Sequence, residues 1–102
     1  MKVFIQSVNF NASVGLLEFI EKKVVSLTKF HDKIVNAEVF LKLENSSDKE
    51  NKIAEIKINI PGNELVVKKQ FRSFEESVNT GVESLKRRLK KSKEKLRDSI
   101  PS

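Results

Sequence analysis

Cysteine is absent from this 102-residue chain, so it can form neither a disulfide framework nor a thiolate metal site. That absence fits a reducing cytosol. Histidine occurs once, at His31, beside Asp32. With no second histidine, no cysteine and no carboxylate cluster set by spacing, neither a catalytic nor a metal reading holds. His31 reads as a surface residue at a helix end. Glycine occurs three times, and Gly62 and Gly81 stand in neither GxGxxG nor Walker spacing, which excludes a phosphate loop of those kinds. Long apolar runs are also missing. The first one, from Met1, is interrupted at once by Gln6 and Ser7, so no signal-peptide core or transmembrane stretch is expected. There is no internal repeat and no Gly/Ser-rich linker. The expectation is a soluble cytoplasmic protein with one domain over residues 1–98 and a short tail over 99–102, without cofactor, metal, small-molecule substrate or enzymatic activity.

Tyrosine and tryptophan are absent too, leaving seven phenylalanines as the aromatic complement. Phe19, Phe30, Phe40, Phe71 and Phe74 sit mostly in patterned segments and read as core. Phe4 and Phe40 fall on the less apolar strand faces, where stacking on RNA bases is the functional alternative.

What is plentiful is positive charge, and it is concentrated. The chain carries a net charge of +6. Residues 83–97 hold eight cations (Lys86, Arg87, Arg88, Lys90, Lys91, Lys93, Lys95 and Arg97) against Glu83 and Glu94. The rest of the chain carries 12 cations and 12 anions, so this segment is the source of the whole excess. A local excess on a neutral body is the footprint of a polyanion partner, because phosphate neutralisation releases counterions. The alternative is a solvated helix whose last cations match the helix dipole, but that accounts for one or two cations rather than eight.

Hydrophobic periodicity places these residues. Val3 to Val8 reads as a strand, broken by Asn9-Phe10-Asn11. Ser13 is a candidate N-cap for a helix with apolar residues at Leu16, Leu17, Ile20, Val24 and Leu27, running to about Phe30. Val39, Leu41 and Leu43 alternate with polar residues, as do Ala54, Ile56, Ile58 and Ile60, giving two strands. A polar loop over residues 45–51 separates them. Pro61-Gly62-Asn63 marks a turn, and Leu65 begins a fourth strand ending near Phe71. Ser73-Phe74-Glu75-Glu76 is a capping box. Phe74, Val78, Val82, Leu85, Leu89 and Leu96 then fall within about 80° of one helix face at 3.6 residues per turn. This helix should fray near Asp98, with Pro101 beyond it. Arg87, Lys91 and Lys95 form a stripe opposite the apolar wedge. Arg88 lies beside the stripe, and Lys86, Lys90 and Arg97 flank its other side.

A strand on each side of a helix implies a parallel pair joined by a right-handed crossover, and the shorter connections imply antiparallel hairpins. The predicted fold is therefore α+β, a two-layer sandwich ordered β-α-β-β-β-α. A four-stranded mixed sheet carries both helices packed on one face.

Over nearly its whole length the chain resembles the short form of the bacterial ribosome hibernation promoting factors, also called ribosome-associated inhibitors or ribosomal subunit interface proteins. The likeness rests on residues 13–20 (SVGLLEFI), 27–34 (LTKFHDKI), 39–44 (VFLKLE) and, most specifically, 85–96 (LKRRLKKSKEKL). It departs at Phe74 and Glu75, where the family has Met and Tyr, and at Ser26 and Ser84, where it has lysines. The resemblance implies a small-subunit partner, 16S-type rRNA with neighbouring ribosomal proteins, bound in the mRNA/tRNA channel near the decoding region. It implies silenced translation and protected idle ribosomes in stationary phase or starvation, a protein monomeric off the ribosome, and no further domain after the last helix. It also implies RNA contacts by Lys86, Arg87, Arg88, Lys90, Lys91, Lys93 and Lys95, with Lys23, Lys29 and Lys33 as a second rim. For that second rim the competing reading is ordinary surface carrying pairs such as Glu18–Lys22. Two further readings of the whole chain stand beside this one. The first is a structured-RNA module of double-stranded-RNA-binding type, although Glu75 and Glu76 occupy the place of that family's lysine cluster. The second is a protein-interaction adaptor using the basic helix, which would bind in a salt-tolerant way.

Overall fold

The computed structural model describes residues 1–44 and 49–98, with side chains as far as Lys91. Most of the expected polar loop (45–48), the tail with Pro101 and the side chains of Lys93, Glu94, Lys95, Leu96 and Arg97 lie outside the described residues. The elements are β1 (Lys2–Val8), α1 (Val14–Val25), a 3-10 turn (Ser26–Lys29), β2 (Asn36–Leu43), β3 (Lys52–Ile60), β4 (Asn63–Phe71) and α2 (Phe74–Asp98). The strands lie in the order β1-β2-β3-β4. β1 and β2 are parallel, and the other two pairs are antiparallel. This is the predicted α+β architecture.

Register explains the core. Ile5 lies opposite Val39, Val39 opposite Ile56 and Ile56 opposite Val67, so one apolar row crosses all four strands. The rows of Ala37, Ile58 and Leu65 and of Leu41 and Ala54 lie on the same face. These residues cluster with Ile20, Val24 and Leu27 from the first helical segment and with Phe74, Val78, Val82, Leu85 and Leu89 from α2. Both helices therefore cover one face of the sheet, as strand alternation requires once the apolar side is chosen.

Local chemistry sets the ends of the elements. Ser13 Oγ accepts the Leu16 N–H at 3.2 Å and caps α1. Ser73 Oγ accepts the Glu76 N–H at 3.2 Å, the forward half of the capping box. Asn9 takes a φ of 64°, a left-handed conformation that asparagine tolerates, and this ends β1. Pro61 and Gly62 form a two-residue turn in which Gly62 has a φ of 76°, the value required at the second central position of a type II turn. That turn pairs Ile60 with Asn63 directly, so β4 starts two residues before the expected Leu65.

Two expectations need correction. The first helix does not continue to Phe30. It ends at Val25 and tightens into the 3-10 turn, where Ser26 Oγ donates to the Lys23 carbonyl at 2.5 Å and Thr28 Oγ1 to the Val25 carbonyl at 2.8 Å. Hydroxyls bonded back to the preceding turn compete with regular helix, and β-branched Val24, Val25 and Thr28 add to this. Nor is His31 a surface residue, since it is only 5% exposed. The Phe30 N–H closes on the Leu27 carbonyl and turns the chain. His31 is then buried with a partner, its Nδ1 accepting the Lys33 N–H at 3.2 Å.

Gly81 is buried on the sheet-facing side of α2, and a Cβ there would stand 3.0 Å from Ile56 Cδ1 and 3.4 Å from Val67 Cγ1. The glycine lets α2 lie close over β3 and β4. Gly81→Val should therefore lower the unfolding free energy by about 2 kcal/mol through overpacking, read as a lower urea midpoint at unchanged m. A midpoint equal to the parent's would show that the contact has room to give.

Candidate nucleic-acid interface

The buried residues of α2 decide which of its cations reach solvent. With Leu85 and Leu89 fully buried, Arg87, Arg88, Lys90 and Lys91 are exposed and Lys86 is half-buried. The Phe10 and Phe74 rings stack at 5.0 Å between centroids, so α1 and α2 start at the same end of the sheet. The two helices then run side by side in one direction, and the segment after α1 arrives beside the basic half of α2.

That arrival is seen in one contact. The ammonium groups of Lys86 and Lys90 lie 4.8 and 5.1 Å from the centroid of the Phe30 ring. Cations over an aromatic face are attracted by its quadrupole. Phe30 was expected in the core and is instead half-buried. Nothing in the sequence marks it, because the lysines it meets are 56 and 60 positions further along the chain. Lys29 and Lys33, exposed neighbours of Phe30 in sequence, are brought to the same end of the molecule.

The second rim is not continuous. Lys23 lies 5.8 Å from the Phe19 ring centroid and lines a shallow groove with Glu75, Glu76 and Asn79 at the start of α2. Asn79, the groove residue nearest the basic segment, precedes Lys86 by seven residues, about 10 Å of helix, so Lys23 stands apart from the Phe30 contact. Lys29 lines a different cleft on α1, with Glu18, Glu21, Lys22 and Val25. The Glu18–Lys22 pair is not formed among the described residues.

Among the described residues the ion pairs belong to Lys57, which reaches Glu64 at 3.2 Å and Glu38 at 3.7 Å on the face of the sheet away from the helices. The hydrogen bond and charge of Glu64, with the charge of Glu38, raise the Lys57 pKa above its ordinary value. No cation among residues 86–91 is matched by a carboxylate among the described residues. Two guanidinium groups are nevertheless engaged. Arg88 Nη1 donates to the Val66 carbonyl on edge strand β4 at 2.7 Å, and Arg87 Nη2 donates to Ser84 Oγ at 3.4 Å. Phe4 is 54% exposed and Phe40 half-buried, both on the sheet face opposite α2, so neither joins the basic cluster.

No group of three His, Asp or Glu residues able to hold a metal ion occurs among the described residues. Among them, no helix is long and apolar enough to cross a membrane.

Comparison with known proteins adds four likenesses. Residues 3–97 match the family described as Sigma 54 modulation protein / S30EA ribosomal protein. A ribosome hibernation promoting factor of Pseudomonas putida is 28% identical over 95 residues, spanning 93% of this chain and 89% of its own. Two solved structures share the fold. A ribosomal subunit interface protein from Coxiella burnetii has a TM-score of 0.80 at 22% identity, covering 91% of this chain and 98% of its own. The N-terminal domain of Thermus thermophilus Protein Y has a TM-score of 0.74 at 23% identity, covering 88% and 93%.

The Arg88 contact separates two roles for neighbouring cations. Arg88→Ala should cost about 1 kcal/mol of stability, because it leaves an edge carbonyl without its partner. Arg87→Ala should stay within about 0.5 kcal/mol of the parent. Urea melts of the two variants, compared side by side, check this. Equal midpoints would mean that Arg88 does not latch the helix to the sheet.

Proposed function

The chain belongs to the Sigma 54 modulation protein / S30EA ribosomal protein family, and from that premise we propose that it is a ribosome hibernation factor acting on the small ribosomal subunit in the cytoplasm. It occupies the mRNA/tRNA channel near the decoding region, blocks translation and protects idle ribosomes in stationary phase or starvation. Its partners are 16S-type rRNA and neighbouring ribosomal proteins, and it works as a monomer by occlusion rather than by catalysis. The similarity to the Pseudomonas putida ribosome hibernation promoting factor supports the hibernation role.

The observation that carries the reading is the uncompensated charge of α2. Lys86, Arg87, Arg88, Lys90 and Lys91 follow one another along one rigid helix without a carboxylate partner among the described residues. A rigid row of cations suits a surface of fixed phosphates such as folded rRNA, because few charges need be reorganised on binding. Lys93 and Lys95 extend the row by sequence. Lys29 and Lys33 supply contacts from the neighbouring segment, and Lys23 supplies a separate one near the start of α2.

Two measurements test the proposal. The protein should co-sediment with small subunits in a sucrose gradient. If about six phosphates are neutralised, binding should fall on the order of 10³-fold between roughly 50 and 200 mM salt. Flat salt dependence, or preference for a plain RNA duplex over intact subunits, would rule the proposal out. Combined Arg87→Glu, Lys91→Glu and Lys95→Glu substitutions should abolish both binding and translation inhibition, with the melting temperature within a few degrees of the parent. Full inhibition by that variant would remove the helix from the interface.

A further inference from the structure

We propose that Phe30 is a positioning residue for RNA binding, its ring holding Lys86 and Lys90 as a paired clamp for phosphodiester groups. This deepens the ribosomal reading and rests on it for the identity of the RNA. Three observations carry it. The ring meets both ammonium groups at once, at 4.8 and 5.1 Å. The ring is itself anchored, since Leu27 and His31 on either side are buried and the Phe30 N–H is bonded to the Leu27 carbonyl at 3.0 Å. Neither ammonium is committed to a carboxylate among the described residues.

Lysines one helical turn apart repel each other, and each long side chain is free to swing away. The ring that both ammonium groups share attracts each of them, offsets part of that repulsion and restricts the swing without neutralising either charge. A carboxylate would hold the lysines as well but would cancel the charge needed for phosphate. An aromatic ring is therefore the suitable anchor for cations that must stay available. Ordering them before binding removes part of the entropy cost of immobilising two flexible side chains.

Phe30→Leu keeps an apolar side chain and removes the ring, so it should bind small subunits about fivefold more weakly with an unchanged salt slope, because no charge is lost. Phe30→Trp should restore binding. Lys86→Gln with Lys90→Gln should weaken binding and also flatten the slope by about 1.5, and Phe30→Leu should add nothing on that background. In the free protein the ε-methylene protons of Lys86 and Lys90 should be shifted upfield by the ring current, and the shift should vanish in Phe30→Leu. The proposal is overturned if Phe30→Leu binds like the parent, if Phe30→Trp fails to restore binding, or if Phe30→Leu weakens the double-glutamine variant further. Should Phe30→Leu unfold, absence of the lysine shifts in the parent and in Phe30→Trp would overturn it equally. A parent that ignores small subunits but binds a short RNA duplex with the same Phe30 dependence would reject the ribosomal reading and keep the clamp.

Discussion

Burial of the apolar wedge of α2 against the sheet is the interaction on which the rest depends. Val78, Val82, Leu85 and Leu89 are almost wholly removed from water, and each such side chain contributes about 1.5–3 kcal/mol relative to exposure. That total fixes the rotation of the helix about its own axis. A turn of one residue, about 100°, would drive the cations of residues 86–91 toward an apolar face and expose the leucines. Gly81 allows the approach to be close, and the Ser77 hydroxyl adds a polar tether by donating to the Lys52 carbonyl at 2.7 Å. Every statement about which cation faces outward follows from this seating.

The seating also solves an electrostatic problem. A helix so rich in like charge is disfavoured by self-repulsion along its exposed arc. Its start carries Glu75 and Glu76, which suit the positive end of the helix dipole, while the lysines and arginines lie toward the negative end. Lys86 and Lys90 are steadied by the neutral Phe30 ring. Arg88 is steadied by an edge carbonyl. These contacts hold charges in place while leaving them unneutralised, the condition a phosphate-binding surface requires.

Most of the architecture is legible in the sequence. Alternation in β2 and β3, the caps at Ser13 and Ser73, the Pro61-Gly62 turn and the wedge from Phe74 onward are local signals, each with a local physical cause. The departures lie where side-chain hydrogen bonds to nearby backbone overrode the regular helix expected from apolar spacing. The first helix yielded to a 3-10 turn because side-chain hydroxyls took up its carbonyls. His31 went inside because that turn reversed the chain and the Lys33 N–H satisfied its ring nitrogen.

The sequence by itself determined the element order, the choice of buried face and the concentration of positive charge on one helix. Those follow from periodicity and composition, which act over a few residues at a time. Only the tertiary structure decided what stands next to that helix. Phe30 meets Lys86 and Lys90, Arg88 meets the edge of β4, and Lys23 is set apart beside Glu75 and Glu76. Each pairing spans more than twenty positions of chain and exists because both helices are seated on one sheet face. The basic helix is thus a property of the sequence, and its preorganisation is a property of the fold.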